Sequence, residues 1–409
     1  MIPGLEPAPA PPPLPSHAED GRLVVSLRRS LDWTADDLAS LAAILDARPQ
    51  VGVFLTKPWL SALLAAPPPG VEPAILVFHQ HGALRGLIPL AINDTWAGVQ
   101  VTLLGGAFRS DRVDLLADRG YESRLAERFL EWLGELGGRR GFVLKLRDVP
   151  DDSPLWGAIR RTIDEGKAPF VLVPREVHTL PYLPLAERTA GSPADQATRV
   201  ASLRRQWAAL GRRGPLKIDL LEDTQDVMRG FDVLTQLLRA RWGAGVSVLD
   251  DAHTNVFHQS VLPELLSEGR VRMVLMRSGL RPVGVCYSFA GGDRVGDRGR
   301  SWWGYYLAAY DRDWAGRIHL GRLIIETAID LAARERAQEF DFLKGAERYK
   351  HFWPVRERAT VDADLYSGTS RSQVRRASVA ARHAAVSLVK ATRALLSRSD
   401  RHPREVATP

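Results

Sequence analysis

The stretch Phe340–Trp353, FDFLKGAERYKHFW, decides how this chain is read. Its first residues alternate as a strand does, with Phe340 and Phe342 on one side and Asp341 on the other, so a carboxylate is held at a sheet position on the face opposite the two rings. The strand EFDFLKG ends at Gly345, and AERYKHFW is expected to form a short helix. A buried strand and helix explain the aromatic residues. They do not explain why Asp341, Glu347, Tyr349 and Lys350 gather beside them. An acid, a phenol and an ammonium at the end of a strand are the groups that proton transfer uses.

Upstream of this stretch, IHLGRLIIETAIDLAARERA has helical periodicity, and RSWWGYYLAAY reads as a strand. Before them VRMVLMRSGLRPVGVCYSFAGG describes two antiparallel strands turned at Ser278-Gly279. Further back come helices in FHQSVLPELLSEG, with Pro263 near the first turn, and in MRGFDVLTQLLRARWG. LKIDLLE is a strand, ATRVASLRRQWAALGRRG is a basic exposed helix ended by Gly214 and Pro215, and EVHTLPYLPL is extended. The first half alternates in the same way. WTADDLASLAAILDA, KPWLSALLAA and ESRLAERFLEWLGELG are helices, and PAILVFH, LRGLIPLAI, VQVTLLG and GFVLKLRDV are strands.

At 409 residues the chain suits two domains of about 150 to 200 residues each. The boundaries read from composition are a Pro/Ala-rich tail over 1–21, domains over 22–176 and 177–367, and a basic tail over 368–409. The 45% hydrophobic and 25% charged composition is that of a soluble globular protein. With no long apolar run and no basic, apolar leader, a cytoplasmic location is expected. The one cysteine, Cys286, lies in the strand-like VGVCYSF and reads as a buried thiol.

The formal charge of +7 is concentrated at the end, where nine basic residues from Gly368 onward face only Asp400 and Glu405. The body is neutral, so a basic groove for nucleic acid is not expected. Within the tail, Val374 to Ser397 projects as a basic amphipathic helix, suited to weak contact with an anionic membrane or an acidic partner. His79 and His81 stand at strand spacing without further ligands beside them, and no metal is expected there. No Ser-His-Asp order, P-loop or dinucleotide fingerprint stands out, which removes the hydrolase, kinase and dehydrogenase readings.

The words LRRQWAALGRRG, LLRARW, RPVGVCYSF, WAGRIHLGRLIIETAI and FDFLKGAERYKHFW resemble the CelD/BcsL-type acetyltransferase family, a branch of the GNAT superfamily related to the Fem-like peptidyl transferases. FLTKPWLSALL, LRGLIPLAI, VTLLGG and DRVDLLADRG extend the likeness into the first half, so it covers roughly residues 22 to 366. Leu238 departs from it, standing where relatives carry histidine before their RW pair, and Gly291 to Arg300 lengthens a hairpin. The resemblance implies an α/β fold of tandem GNAT-like domains with mixed, largely antiparallel sheets. The first domain would be a degenerate copy and the second the catalytic one.

It also implies acetyl-CoA or another acyl-CoA as co-substrate and no metal. The pantetheine arm would pair with the strand around Tyr306, Leu307 and Ala308, as if extending the sheet. Alternation puts Trp302, Tyr306 and Ala308 on one face and Trp303, Tyr305 and Leu307 on the other. The pyrophosphate would lie on the helix start at Trp314, Ala315, Gly316, Arg317 and Ile318, where backbone N–H groups lack intrahelical partners. Arg241 and Trp242 would line the acceptor pocket.

In this reading Tyr349 is the acid for the departing thiolate, and Asp341 or Glu347 is the base, unless Asp341 instead caps or braces the following turn. Lys350 orients a carboxylate or an anionic substrate, or else pairs with Glu347 three residues before it on a solvated surface. The acceptor would be an amine or hydroxyl, on a saccharide in exopolysaccharide or cell-envelope biosynthesis. Three rivals stand beside this reading: a Fem-like transferase using aminoacyl-tRNA, a noncatalytic accessory protein of polysaccharide synthesis, and an acyltransferase on a small free amine.

Overall fold

The computed structural model describes residues 21–369, apart from 31, 49–52, 68–69, 96–97, 105–109, 168, 244, 292–300 and 346. The Pro/Ala-rich tail before residue 21, the lengthened hairpin and the basic helix Val374–Ser397 lie outside the described residues.

The first half runs β1 (Val24–Arg28), α1 (Ala35–Asp46), α2 (Lys57–Ala65), β2 (Pro73–Gln80), β3 (Ala83–Thr95), β4 (Gly98–Leu103), the short β5 (Leu116–Ala117), α3 (Glu122–Gly137), β6 (Phe142–Pro150), α4 (Pro154–Asp164) and β7 (Val171–Pro184). After α5 (Pro193–Gly211), the second half repeats that order. It runs β8 (Leu216–Leu221), α6 (Thr224–Trp242), α7 (Ala252–Ser267), β9 (Val271–Ser278), β10 (Arg281–Gly291), β11 (Ser301–Tyr310), α8 (Arg312–Ala315), α9 (Leu320–Arg334), β12 (Ala337–Asp341) and β13 (Arg356–Tyr366). Local chemistry sets several starts. The Thr34 side chain accepts from Asp37 N to cap α1, and Asp223 accepts from Gln225 N and Asp226 N to cap α6.

All the described strands join one sheet in the order β1-β2-β3-β4-β6-β13-β7-β12-β11-β10-β9-β8, with β5 beside β3. The two halves are mirrored along this order, and each lends its last strand to the other. β7 pairs with β12, and β13 lies between β6 and β7. The boundary read at residue 176 therefore falls inside β7. Within each half one pair of strands is parallel, β4 with β6 and β11 with β12. This is an α/β fold of tandem GNAT-like units on a mixed, largely antiparallel sheet.

The core has three parts. One is shared by both halves: Phe54, Trp59, Phe257 and Phe289 pack edge to face across α2, α7 and β10. A second lies under α3 and α4, and a third under α9. Cys286 is fully buried in the third, where burial pushes its thiol up to about 12 and leaves it inert at neutral pH.

Four sequence readings are corrected. AERYKHFW makes only a 3-10 turn over Arg348–Phe352, because Gly345 and the packing of Lys350 hold the chain short of an α-helix. Pro263 lies inside α7, which starts at Ala252. After the opening stretch the chain forms a further strand, β13, which the sequence pattern does not announce. Finally, β11 carries an extra residue: Tyr287 pairs with Leu307 but Ser288 pairs with Tyr305, so Tyr306 is bulged. The bulge reverses the alternation, and Leu307 packs on the face of Trp302 and Tyr306 while Ala308 joins Trp303 and Tyr305.

Candidate active site

The bulge coincides with the point where two strands part. β11 and β12 are parallel partners only from Ser301 to Gly304 and from Ala337 to Asp341. Beyond Gly304 the edge of β11 that faced β12 has no strand partner among the described residues, while its other edge stays bonded to β10. Gly304 is required at this fork, since a Cβ there would run into the Trp302 indole.

The gap is a cleft of about 930 Å³ lined by Tyr305 to Ala308 and Tyr310 of β11, Leu238, Arg241 and Trp242 of α6, the start of α9, and Phe342 to Gly345, Glu347, Tyr349 and Lys350 of the closing stretch. A second depression of about 940 Å³ shares Arg241, Tyr310 and His319 with it and continues past Gly316, Arg317 and Ile318. The expected donor and acceptor residues thus meet along one continuous surface. Two do not present side chains to it as expected: Ala315 is buried in the core, and Trp314 is half-buried against Arg213. The long helix also begins later than expected, at Leu320, so His319, Gly321 and Arg322 form its exposed N-terminus in the main cleft. Gly316 sits in the turn before it at φ +57°, where a Cβ would come within 2.7 Å of the Arg213 guanidinium. Arg241 stacks on both Trp242 and Tyr310, at 4.7 and 4.9 Å from the ring centroids.

The closing stretch separates into frame and chemistry. Asp341 is fully buried and accepts from Leu343 N (2.8 Å), the Trp302 indole (3.2 Å) and Arg112 Nη2 (2.6 Å). Its carboxylate braces the fork and does not line the cleft. Lys350 is also buried, 2% exposed, contrary to the solvated surface considered for it. Its ammonium donates to the carbonyls of Phe342, Lys344 and Gly345 at 2.8–3.1 Å and pairs with Glu347 at 2.9 Å. That hub closes the loop on itself and fixes the Glu347 carboxylate at the cleft wall.

Tyr349 turns its hydroxyl into the cleft, where it is hydrogen-bonded to Tyr305. Burial of that hydroxyl, with Glu347 nearby, pushes the Tyr349 pKa up to about 12, while the bond from Tyr305 pulls the other way. Burial also holds Tyr305 well above the usual tyrosine range. Both phenols are therefore protonated at neutral pH.

The sequence reading missed Asp111, which enters the cleft from the first half. Burial raises its carboxyl to about 6, with Asp148 and Asp341 adding to the rise and Lys344 N–H and Arg112 opposing it. Its only sequence signal is its place in DRVDLLADRG, a phrase that by itself names no role.

Residues 197–351 match the acetyltransferase (GNAT) domain family. No curated protein sequence matches the chain. Among solved structures, FemX superposes at 10% identity and TM-score 0.53 over 83% of this chain and 98% of its own. A putative lysylphosphatidylglycerol synthetase C-terminal domain from Agrobacterium fabrum superposes at 11% identity and TM-score 0.48, over 83% of this chain and 95% of its own. At 10% identity the likeness to FemX is one of fold. From residue 197 to 351 the chain is thus similar to an acetyltransferase domain of the GNAT type.

Proposed function

We propose that the protein transfers an acetyl or other acyl group from acyl-CoA to an amine or hydroxyl, in the cleft between β11 and β12. One observation carries this reading: two parallel strands part at a bulge, and a protonated tyrosine pair stands in the opening. The edge of β11 beyond Gly304, which has no strand partner among the described residues, supplies main-chain groups for the pantetheine arm. The turn at Gly316 and Arg317, followed by the start of α9, supplies N–H groups and positive charge for the pyrophosphate. Each of the two joined depressions has the size of a small-ligand site.

For the chemical step, Asp111 is the base, directly or through water, because its pKa of about 6 leaves it ionised yet basic at neutral pH. The acceptor's lone pair attacks the thioester carbon and its proton passes to Asp111. As the carbon–sulfur bond breaks, Tyr349 gives its proton to the thiolate, and the Tyr305 hydroxyl donates to the phenolate left behind. Glu347, held by Lys350, and Arg241 with Trp242 face the acceptor side. Asp341 is a positioning residue. A saccharide acceptor in exopolysaccharide or envelope biosynthesis is the setting that the family resemblance supports.

The test is thiol release from acetyl-CoA and longer acyl-CoAs over a panel of sugar nucleotides and small amines. Acceptor-dependent thiol release supports the reading. Absence of release with every acyl-CoA, together with product formed only from aminoacyl-tRNA, would overturn it in favour of the Fem-like alternative.

A further inference from the structure

We infer that the junction of the two halves holds a site for one first-row divalent cation, Zn²⁺ or Mn²⁺, formed by Asp148 of β6, His178 of β7 and Asp362 of β13. These are three strands from different parts of the chain, and their side chains converge because the ladder is irregular there. β13 shifts register against β6 between Val361 and Ala363, and against β7 between Asp362 and Ala363. Such shifts re-aim side chains that regular alternation would send to opposite faces. One nitrogen and two oxygens from the three residues lie within 4.8 Å of one another, with His178 Nε2 at 3.5 Å from Asp362 Oδ1 and 3.9 Å from Asp148 Oδ1. Tetrahedral ligands around zinc stand about 3.4 Å apart, a spacing reached by small rotations of the two carboxylates.

The second observation is independent of proximity. The Asp148 side chain is 4% exposed, and its Oδ1, aimed at the imidazole, has no hydrogen-bond partner. His178 Nε2 has none either. A cation between these two buried, facing polar atoms would satisfy both at once. Asp148 is held from behind, as metal ligands are, by Lys344 Nζ at 2.6 Å from its Oδ2; Asp148 N donates at 2.8 Å to Asp362 Oδ1, the oxygen that faces the imidazole, and Arg147 Nε stands 3.9 Å from Asp362 Oδ2. An imidazole with two carboxylates suits Zn²⁺ or Mn²⁺ better than the all-oxygen sites that Mg²⁺ and Ca²⁺ take. A cation here would clamp the exchanged strands directly behind Lys344, whose backbone N–H bonds Asp111 at the cleft.

The full-length protein, freed of metal with a chelator, is titrated calorimetrically with ZnCl₂, MnCl₂ and MgCl₂, and its melting temperature is followed in each. One equivalent of Zn²⁺ or Mn²⁺ is expected to bind and raise the melting temperature. Affinity should fall tenfold or more in His178→Gln and in Asp362→Asn, but stay unchanged in the control His81→Ala. Lack of saturable binding, or equal binding in parent and both variants, would overturn the site. Should a variant fail to fold, crystals of the parent soaked in MnCl₂ decide: an anomalous peak between the three residues supports the site, and its absence overturns it.

Discussion

Replacing Asp111 with asparagine tests the chemical reading most sharply, because activity and stability should move in opposite directions. The amide keeps an oxygen to accept from Lys344 N but cannot take a proton. With a pKa of about 6, the parent carboxylate is about 97% ionised at pH 7.5, half ionised at pH 6 and about one-tenth ionised at pH 5. Parent kcat/KM should therefore fall about tenfold per pH unit below 6. A lost general base costs about 10²- to 10⁴-fold in kcat, or about 3 to 5 kcal/mol of barrier, and the acid limb should vanish in the variant.

Stability runs the other way. The folded pKa lies above the ordinary value of 3.8, so the carboxyl favours the fold fully at pH below that value and loses its contribution as pH rises through about 6. At pH 7.5 the charged group is a burden, and Asp111→Asn should be more stable than the parent by about 1 to 3 kcal/mol. The assay is thiol release from acyl-CoA with a hydroxyl acceptor between pH 5 and 9, beside urea unfolding at pH 7.5. An acid limb that persists in the variant, or a kcat within threefold of the parent, would refute the assignment of Asp111 as base.

Tyr349→Phe should lower kcat by about 10²- to 10³-fold while KM changes little, since the hydroxyl acts only as the thiolate leaves. Equal turnover would return Tyr349 to a packing role. Lys350→Met should destabilise the protein by about 1 to 3 kcal/mol, because three carbonyls lose their shared buried donor; no measurable loss in urea unfolding would contradict the hub. Gly316→Asp should weaken CoA binding at least tenfold by calorimetry, through the Arg213 contact and the added negative charge, with the melting temperature shifted by only a few degrees. Unchanged affinity would move the pyrophosphate elsewhere.

The residues that reached one cleft from sequence alone share a property. Tyr349, Glu347, Arg241, Trp242 and Tyr306 to Ala308 belong to contiguous words, so local pattern and family likeness carried them together. What escaped depended on folded contacts and a backbone irregularity that local pattern does not encode. Asp341 reads like a base until Arg112, more than two hundred positions earlier, is found 2.6 Å from it. Lys350 reads like a surface residue until the carbonyls of its own loop close over it. A one-residue bulge at Tyr306 is invisible to alternation, which assumes an unbroken ladder, yet it turns Leu307 to the other face at the point where the strands part.

The exchange of last strands links these misses. Because β7 and β13 cross between the halves, loops of the first half are brought against the fork of the second, and Asp111 and Arg112 arrive there as a consecutive pair. Arg112 neutralises the buried Asp341 that holds the fork, while its neighbour Asp111 is left with a raised pKa at the cleft. A first half that had lost every role would have no reason to deliver both charges to one point. In the proposed reaction its contribution is a pair of charges: Arg112 supplies the counter-charge to Asp341 at the fork, and Asp111 the carboxylate at the cleft.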